Sequence, residues 1–337
     1  MLNERIYEEY KYDGVLSDIC EKYVAEKRAS GYKFNGAAKK LRALCRFSLD
    51  YDIPPGELPE DFVRAWIAKK PYETEANRHL RYSATRGLAE YMNRLGYSAY
   101  LPEKSDIAKY STIFVPYIFT RDEINRFFTA ANQMQKATYS SSPRYHIVMP
   151  VLLQTLYCCG LRMSEAAHLR ISDVDLEQGI LTIRNSKMGK SRYVPMSMEL
   201  TVVLEEYAKT ISPEKSKQTD YFFDAPDGGF YDGRAIYAAF RQVLRDAGIS
   251  HGGKGKGPRL HDLRHTFSVH TLQNWVADGH DVTSMLSKLS AYLGHVNMRY
   301  TEPYVRMTAE VYPEVSVILQ DKYGGLIPRA EDYDEND

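Results

Sequence analysis

The chain has 337 residues, 26% of them charged and 44% hydrophobic, which excludes a wholly disordered polypeptide and gives two packed domains as the natural expectation. No stretch approaches the length of a membrane span, and the start, MLNERIYEEYKYDG, has no apolar signal core, so the protein is expected to be soluble and cytoplasmic. The 44 basic and 44 acidic side chains cancel, but five of the acids sit in the last seven residues, EDYDEND, and without that tail a basic excess remains that could be clustered on one face for phosphate binding.

From Gly14 to about Tyr97 the apolar spacing is helical throughout. Leu16, Ile19, Cys20, Tyr23 and Val24 mark one helix face, with Gly31 as its stop. Leu41, Leu44, Cys45 and Ser48 mark a second, opposite a stripe of Lys39, Arg42 and Arg46. A third helix is expected over Glu60 to Lys69, and a fourth over Glu75 to Leu95. The fourth turns Ala84, Leu88, Tyr91, Met92 and Leu95 inward and Arg78, Arg81 and Thr85 to another side. Gly96 supplies its C-cap. Residues 1–103 thus read as a small four-helix domain and 104–117, with Pro102 and Pro116 near its ends, as a linker.

In the second domain, 118–322, Thr120-Arg-Asp-Glu123 has the pattern of a capping box. Ile147 to Cys159 is an apolar run expected to form a buried helix. Three strand-like pieces follow, around Val174, from Gly179 to Arg184 and from Ser191 to Met196. The last two are joined by a hairpin turn, Asn185 to Lys190, with Gly189 where a positive φ is needed. From Tyr231 the pattern is helical again, broken by the Gly- and Lys-rich loop His251 to Pro258. The whole is a mostly α fold with a small antiparallel β-sheet. Residues 323–337 form an acidic tail expected to be disordered. The four cysteines, Cys20, Cys45, Cys158 and Cys159, are too few and too badly spaced for a disulfide framework or a zinc site, and are expected as buried reduced thiols.

Five separated elements carry the chemistry. Gly160-Leu-Arg162-Met-Ser-Glu165 places an arginine at a helix junction with a carboxylate three residues on, near enough to hold its guanidinium. Lys187 lies in the hairpin turn, where a flexible ammonium reaches over a ligand. His261-Asp-Leu-Arg264 puts two polar side chains on one helix face. It follows the loop containing Lys254 and Lys256, whose glycines permit close approach to a backbone. That loop lacks the Gly-Lys-Ser/Thr of a nucleotide-binding P-loop. Leu293-Gly-His295 ends an apolar helix, and Tyr304 follows nine residues later. Among 27 tyrosines only that spacing singles it out. Any one of these elements alone has a plain structural explanation, such as an i,i+3 ion pair or a solvated turn lysine.

Taken together, in this order and spacing, they resemble the tyrosine recombinases of the phage-integrase family over roughly residues 117–320. The four-helix unit is similar to that family's core-binding domain, a DNA clamp. The resemblance implies a site of Arg162, Lys187, His261, Arg264, His295 and Tyr304 that cuts and rejoins double-stranded DNA through a covalent 3′-phosphotyrosyl intermediate, without ATP, metal or other cofactor. Two arginines would clamp the phosphate oxygens with planar charged forks. Tyr304 would attack, His261 would act as general base, His295 would hydrogen-bond the phosphate, and Lys187 would protonate the departing 5′-oxygen. Tyr300, one turn earlier, competes with Tyr304, and Lys190 competes with Lys187. Pro303 before the tyrosine is tolerable if Thr301 caps a new helix. DNA contacts outside the centre are expected from Lys39, Arg42, Arg46, Arg78, Arg81, Lys190, Arg192, Lys254 and Lys256. A last helix carrying Val311, Val315, Ile318 and Leu319 is implied to dock on a neighbouring protomer in a DNA-bound tetramer. A separate arm-type DNA-binding domain is expected to be absent. Two other readings share the motifs: a type IB topoisomerase, and a DNA-binding regulator that has kept the fold and lost cleavage. The short tail and single N-terminal domain disfavour the first, and the presence of all six residues disfavours the second.

Overall fold

A computed structural model describes residues 9–107, 115–135, 142–184, 191–211, 220–253 and 257–295, together with Thr301 and Tyr304. The chain divides into two compact units, Met1–Phe114 and Val115–Asp337. Among the described residues no helix is long and apolar enough to cross a membrane.

The first unit holds α1 (Ser17–Ala29), α2 (Asn35–Ser48), α3 (Glu60–Ile67) and α4 (Glu75–Arg94). Each buries the face that its apolar spacing marks: Ile19, Cys20, Tyr23 and Val24 from α1, and Ala38, Leu41, Leu44, Cys45 and Ser48 from α2. Thr74 caps α4 by accepting from the Asn77 N–H. A two-residue parallel ladder, β1 (Glu57–Leu58) on β2 (Ser98–Ala99), joins the segments flanking α3 and α4. No sequence pattern announces so short a pairing. Leu95 departs from its expected inward position and is 51% exposed, because α4 ends at Arg94 and the chain turns away through Gly96 at φ +85. The thiols of Cys20 and Cys45 meet at 3.5 Å in this core, both reduced.

The polar side of α4 requires a correction. Arg81 is 3% exposed and is held inside the unit: its Nε donates to Glu73 Oε1 at 2.8 Å, a second nitrogen donates to Ala68 O at 3.0 Å, and further bonds reach Trp66 O and Glu73 Oε2. Arg78 is half-buried, donating to Ile67 O at 2.9 Å beside Glu75. Both guanidinium groups, expected to meet DNA, are bonded within the unit and tie α4 to the end of α3. Lys39 and Arg46 on α2 are exposed, while Arg42 lies half-buried over the Tyr10 ring.

The second unit packs α5 (Arg121–Asn132), α7 (Met163–Ala167), α8 (Met198–Ile211), α9 (Gly233–Asp246) and α10 (Asp262–Ala277) about α6 (Tyr145–Cys158), with α11 (Val282–Leu293) lying between α10 and a three-stranded antiparallel sheet. The strands are β3 (Val174–Asp175), β4 (Ile180–Ile183) and β5 (Arg192–Pro195), with Leu181 opposite both Val174 and Val194. Thr120 and Glu123 form the expected capping box at α5, with bonds of 3.1 and 2.8 Å. Helix α6 is buried at its centre, with Val148, Met149, Leu152 and Leu153 fully enclosed. A separate small cluster between α10 and α11 gathers Val269, Leu272, Val276, Leu289 and Leu293, and the ring of Tyr304 belongs to it. The expected hairpin turn, the loop lysines Lys254 and Lys256, and the tail helix lie outside the described residues.

A carboxylate or guanidinium left alone inside a protein is strongly destabilising, by about 3–5 kcal/mol when one partner of a buried pair is removed. Arg81→Ala is therefore expected to lower the melting temperature of the N-terminal unit markedly, whereas Lys39→Ala leaves it within a degree or two. Equal melting of the two variants in calorimetry would contradict the structural role given to Arg81.

Candidate active site

Two glycines shape the ground on which the site stands. Gly160 follows α6 at φ +54, and a Cβ there would lie 2.4 Å from the Phe267 ring. Only glycine allows the chain to turn this tightly against α10. The turn delivers Arg162 as the N-cap residue of α7, in extended backbone geometry. At the far side Gly294 ends α11 at φ +69, with the Arg192 guanidinium 3.0 Å from where a Cβ would stand.

Between these two turns lies a charged knot. Arg162 Nη1 donates to Glu165 Oε1 at 2.7 Å, and the Arg162 backbone N–H donates to Oε2 at 2.9 Å. Arg192 grips both oxygens of the same carboxylate at 3.0 and 2.9 Å and donates through Nε to Tyr292 O at 2.7 Å. Arg264 Nη1 stands 3.9 Å from Glu165 Oε2. Burial alone would raise the Glu165 pKa, but the bonds and charges of Arg192 and Arg162 outweigh it and pull it down to about 2. Arg192, expected on the DNA, is instead committed to Glu165, with its side chain only 10% exposed. It lies in β5, whose pairing brings it to this carboxylate.

Arg264 is one turn into α10 and 2% exposed. It donates from Nη1 to Gly160 O at 2.7 Å, and from Nη2 to Leu293 O at 2.8 Å and to His295 Nε2 at 3.0 Å. Burial first, and the nearby Arg162 second, lower its pKa to about 10. Since a guanidinium can only donate, His295 must accept at Nε2 and carry its proton on Nδ1, which then donates to Thr301 Oγ1 at 2.8 Å. The Thr301 hydroxyl thus orients His295.

Tyr304 is 4% exposed. Its ring stacks near His295 at a centroid distance of 6.2 Å, and its hydroxyl lies 3.0 Å from His265 Nδ1. Burial raises its pKa, against the pull of the Arg264 charge and of hydrogen bonding with Ser268 and Arg264. The phenol is therefore held protonated. Burying an aromatic side chain contributes roughly 1.5–3 kcal/mol, so this seat is a held position. His261, expected as the base, opens α10 on its exposed side and packs its ring on that of His265 at 4.8 Å. His265 is the residue that motif reading passed over. Its signal was present, since it stands four residues after His261 and so one turn along the same face.

The structure therefore brings Arg162, Arg264, His295 and Tyr304 together with His261 at the rim. Lys187 and Lys190, and the competing Tyr300, lie outside the described residues. Among the described residues no group of three or more His, Cys, Asp or Glu side chains could hold a metal ion.

Residues 118–310 match the model of the phage integrase family. The chain belongs to that family, the tyrosine recombinases. A Sinorhizobium fredii protein named as an integrase/recombinase, y4rB, is 28% identical over 90% of this chain and 96% of its own length. The tyrosine recombinase XerA of Pyrococcus horikoshii is 27% identical over 58% of this chain and 59% of its own. Among solved structures, the site-specific recombinase XerH bound to a palindromic difH substrate shares the fold with a TM-score of 0.63 at 19% identity, over 89% of this chain and 84% of that one. A lambda integrase fragment bound to a core site gives 0.61 at 14% identity, over 85% and 94%.

The half-buried His265 and His295 and the buried His270 of this recombinase carry a pH signature. Burial first lowers both, His265 to about 3 with His261 and then Arg259 adding to it, and His295 to about 4 with Arg264 and Arg162 adding to it. Burial does the same to His270, also about 4, which contacts the Tyr157 hydroxyl. An unfolded chain takes up these protons near pH 6.5, where the folded one refuses them. Stability is thus complete above about pH 6.5 and drains away as pH falls towards 4. The melting temperature should drop between pH 6.5 and 5, above the carboxylate range, and a flat profile across that window would contradict neutral, enclosed imidazoles.

Proposed function

We propose that this recombinase breaks and rejoins double-stranded DNA at specific sites by moving a phosphodiester onto Tyr304 and off again. The observation that carries the proposal is the convergence of side chains from three distant stretches of the chain: Arg162 and Arg264 lie 2.7 and 3.9 Å from the one Glu165 carboxylate, Arg264 meets His295 at 3.0 Å, and the Tyr304 ring lies 6.2 Å from that of His295.

Attack on a phosphodiester places extra negative charge on the non-bridging oxygens. Arg162 and Arg264 supply fixed, multiply bonded guanidinium groups for that charge, and preorganised donors need no reorganisation as it develops. A neutral His295 whose Nε2 faces the arginine can donate to a phosphate oxygen only after its ring changes tautomer or gains a proton, which an arriving anion favours. Tyr304 forms the covalent 3′-phosphotyrosyl link, and the bond energy kept there allows a second DNA end to reverse the step. Lys187 is assigned the proton for the departing 5′-oxygen. The exposed Lys39 and Arg46 on α2, with Lys254 and Lys256, are assigned to phosphates flanking the cut, the first unit acting as the DNA clamp. Assembly as a tetramer through the last helix, with Val311, Val315, Ile318 and Leu319 on a neighbour, completes the proposal. The relatives named as integrase/recombinase or tyrosine recombinase support this reading over strand relaxation or a cleavage-dead regulator.

Tyr304→Phe, offered a nicked duplex carrying a site that the protein itself selects from a random-sequence library, should bind it with unchanged affinity and form no covalent adduct. An adduct that survives the change would move the nucleophile elsewhere, Tyr300 first. Arg162→Ala or Arg264→Ala should slow cleavage at least 10²-fold, and near-parental rates would remove the clamp. Lys39→Ala and Arg46→Ala together should flatten the salt dependence of binding by nearly two in log–log slope, about 0.9 for each phosphate that is no longer neutralised. An unchanged slope would place the DNA away from α2.

A further inference from the structure

We propose that His265 is the group that takes the proton from Tyr304 as the tyrosine attacks, a role for which the sequence pattern alone suggests His261. The inference rests on the reading of Tyr304 as nucleophile and deepens it. The juxtaposition is direct: His265 Nδ1 lies 3.0 Å from the Tyr304 hydroxyl, with the two rings 5.5 Å apart at 51°. His261 touches this pair through the His265 ring, edge to face at 4.8 Å.

The other groups around the phenol cannot do the same work. Arg264 has donors and no acceptor. Ser268 donates its hydroxyl proton to Arg264 O at 2.9 Å, four residues back along α10, so its oxygen can receive a hydrogen bond but cannot hold a proton as a charge at neutral pH. His295 is occupied at both nitrogens, by Arg264 and by Thr301. Among the described residues His265 offers a basic nitrogen at hydrogen-bond distance from the reacting oxygen, and a phenol kept protonated by burial needs an acceptor of this kind.

The helix explains the placement. Arg264, His265 and, one turn after Arg264, Ser268 lie on the part of α10 that faces the seat of Tyr304, which is itself fixed in the apolar cluster of Val269, Leu272, Leu289 and Leu293. The same helix thus carries one phosphate-binding arginine and the proton acceptor in consecutive residues. Nucleophile, acceptor and clamp keep their relative geometry as long as α10 and α11 stay packed.

The step balances. The Tyr304 oxygen forms a bond to phosphorus and the bond from phosphorus to the 5′-oxygen breaks. The phenolic proton passes to His265 Nδ1, while the leaving 5′-oxygen takes a proton from the assigned acid, Lys187. In the DNA-free protein the arginines nearby disfavour a charged His265. A bound phosphodiester brings a negative charge to that cluster, and more develops in the transition state, so the acceptor becomes basic when it is needed. Religation returns both protons.

The test compares His265→Ala and His265→Asn with the parent chain and Tyr304→Phe, on the self-selected nicked duplex and on the same duplex with sulfur replacing the 5′ bridging oxygen. Asparagine keeps a polar atom close to the Nδ1 position but cannot accept a proton. Both His265 variants should bind DNA as the parent does and form the Tyr304 adduct 10²- to 10⁴-fold more slowly, the range a positioned base contributes. The deficit should persist on the sulfur-bridged substrate, where the leaving group needs no acid, and the same substrate should restore Lys187→Ala. His265→Asn cleaving within about threefold of the parent would overturn the proposal, whatever His265→Ala does. So would a deficit that the sulfur substrate erases. A parent chain that forms no adduct through Tyr304 would instead overturn the underlying reading, so the two failures are told apart.

Discussion

Glu165 draws three guanidinium groups towards one point. Without it, Arg162, Arg192 and Arg264 would be like charges crowded at the junction of α7, β5 and α10, and mutual repulsion would drive them apart. With it, Arg162 and Arg192 are bonded to both carboxylate oxygens and Arg264 lies 3.9 Å away. Removing the carboxylate's proton is easy in that company, which is why its pKa falls despite burial. One negative charge among three positive ones leaves the knot net cationic, so it remains a place for an anion. The rest of the second unit can be understood as the means of bringing these side chains here. Gly160 allows the turn into Arg162, β5 carries Arg192, α10 carries Arg264, and the end of α11 turns back at Gly294 to present His295.

The histidines illustrate the same economy of charge. Surrounded by arginines and partly enclosed, His265 and His295 are held neutral. Neutral imidazoles can accept hydrogen bonds: His295 does so from Arg264, and His265 Nδ1 lies 3.0 Å from the Tyr304 hydroxyl. Burial in turn keeps the tyrosine a phenol. A resting site of this kind does not expose a reactive phenolate to solvent.

Much of this was legible in the residues. Amphipathic helices announce their buried faces, so α1, α2 and the core of α6 follow from spacing, and the three strands fall within the short strand-like pieces read around Val174, Gly179 to Arg184 and Ser191 to Met196. The motif order leads to Arg162, Arg264, His295 and Tyr304. What spacing could not show is which charges are paired. Arg81 on a polar helix face looks the same whether it meets water or the carboxylate of Glu73, which lies before the helix begins. Arg192 in a strand gives no hint that Glu165, 27 residues earlier, will claim it. The meeting of Cys20 with Cys45 and the two-residue ladder of β1 with β2 are likewise products of packing between helices, too local to leave a pattern. His265 is the instructive case, because its neighbour in sequence was selected and its own position on the helix face was sufficient to suggest it.

The central claim is that Arg162 and Arg264 share one phosphate in front of Tyr304. It is tested most directly by a structure of the Tyr304→Phe chain bound to an intact duplex of its selected site. The account predicts non-bridging oxygens of a single phosphate within about 3 Å of both guanidinium groups, with the phenyl ring that replaces the phenol lying beside that phosphorus. A scissile phosphate that touches neither arginine, in the assembled complex, would contradict it.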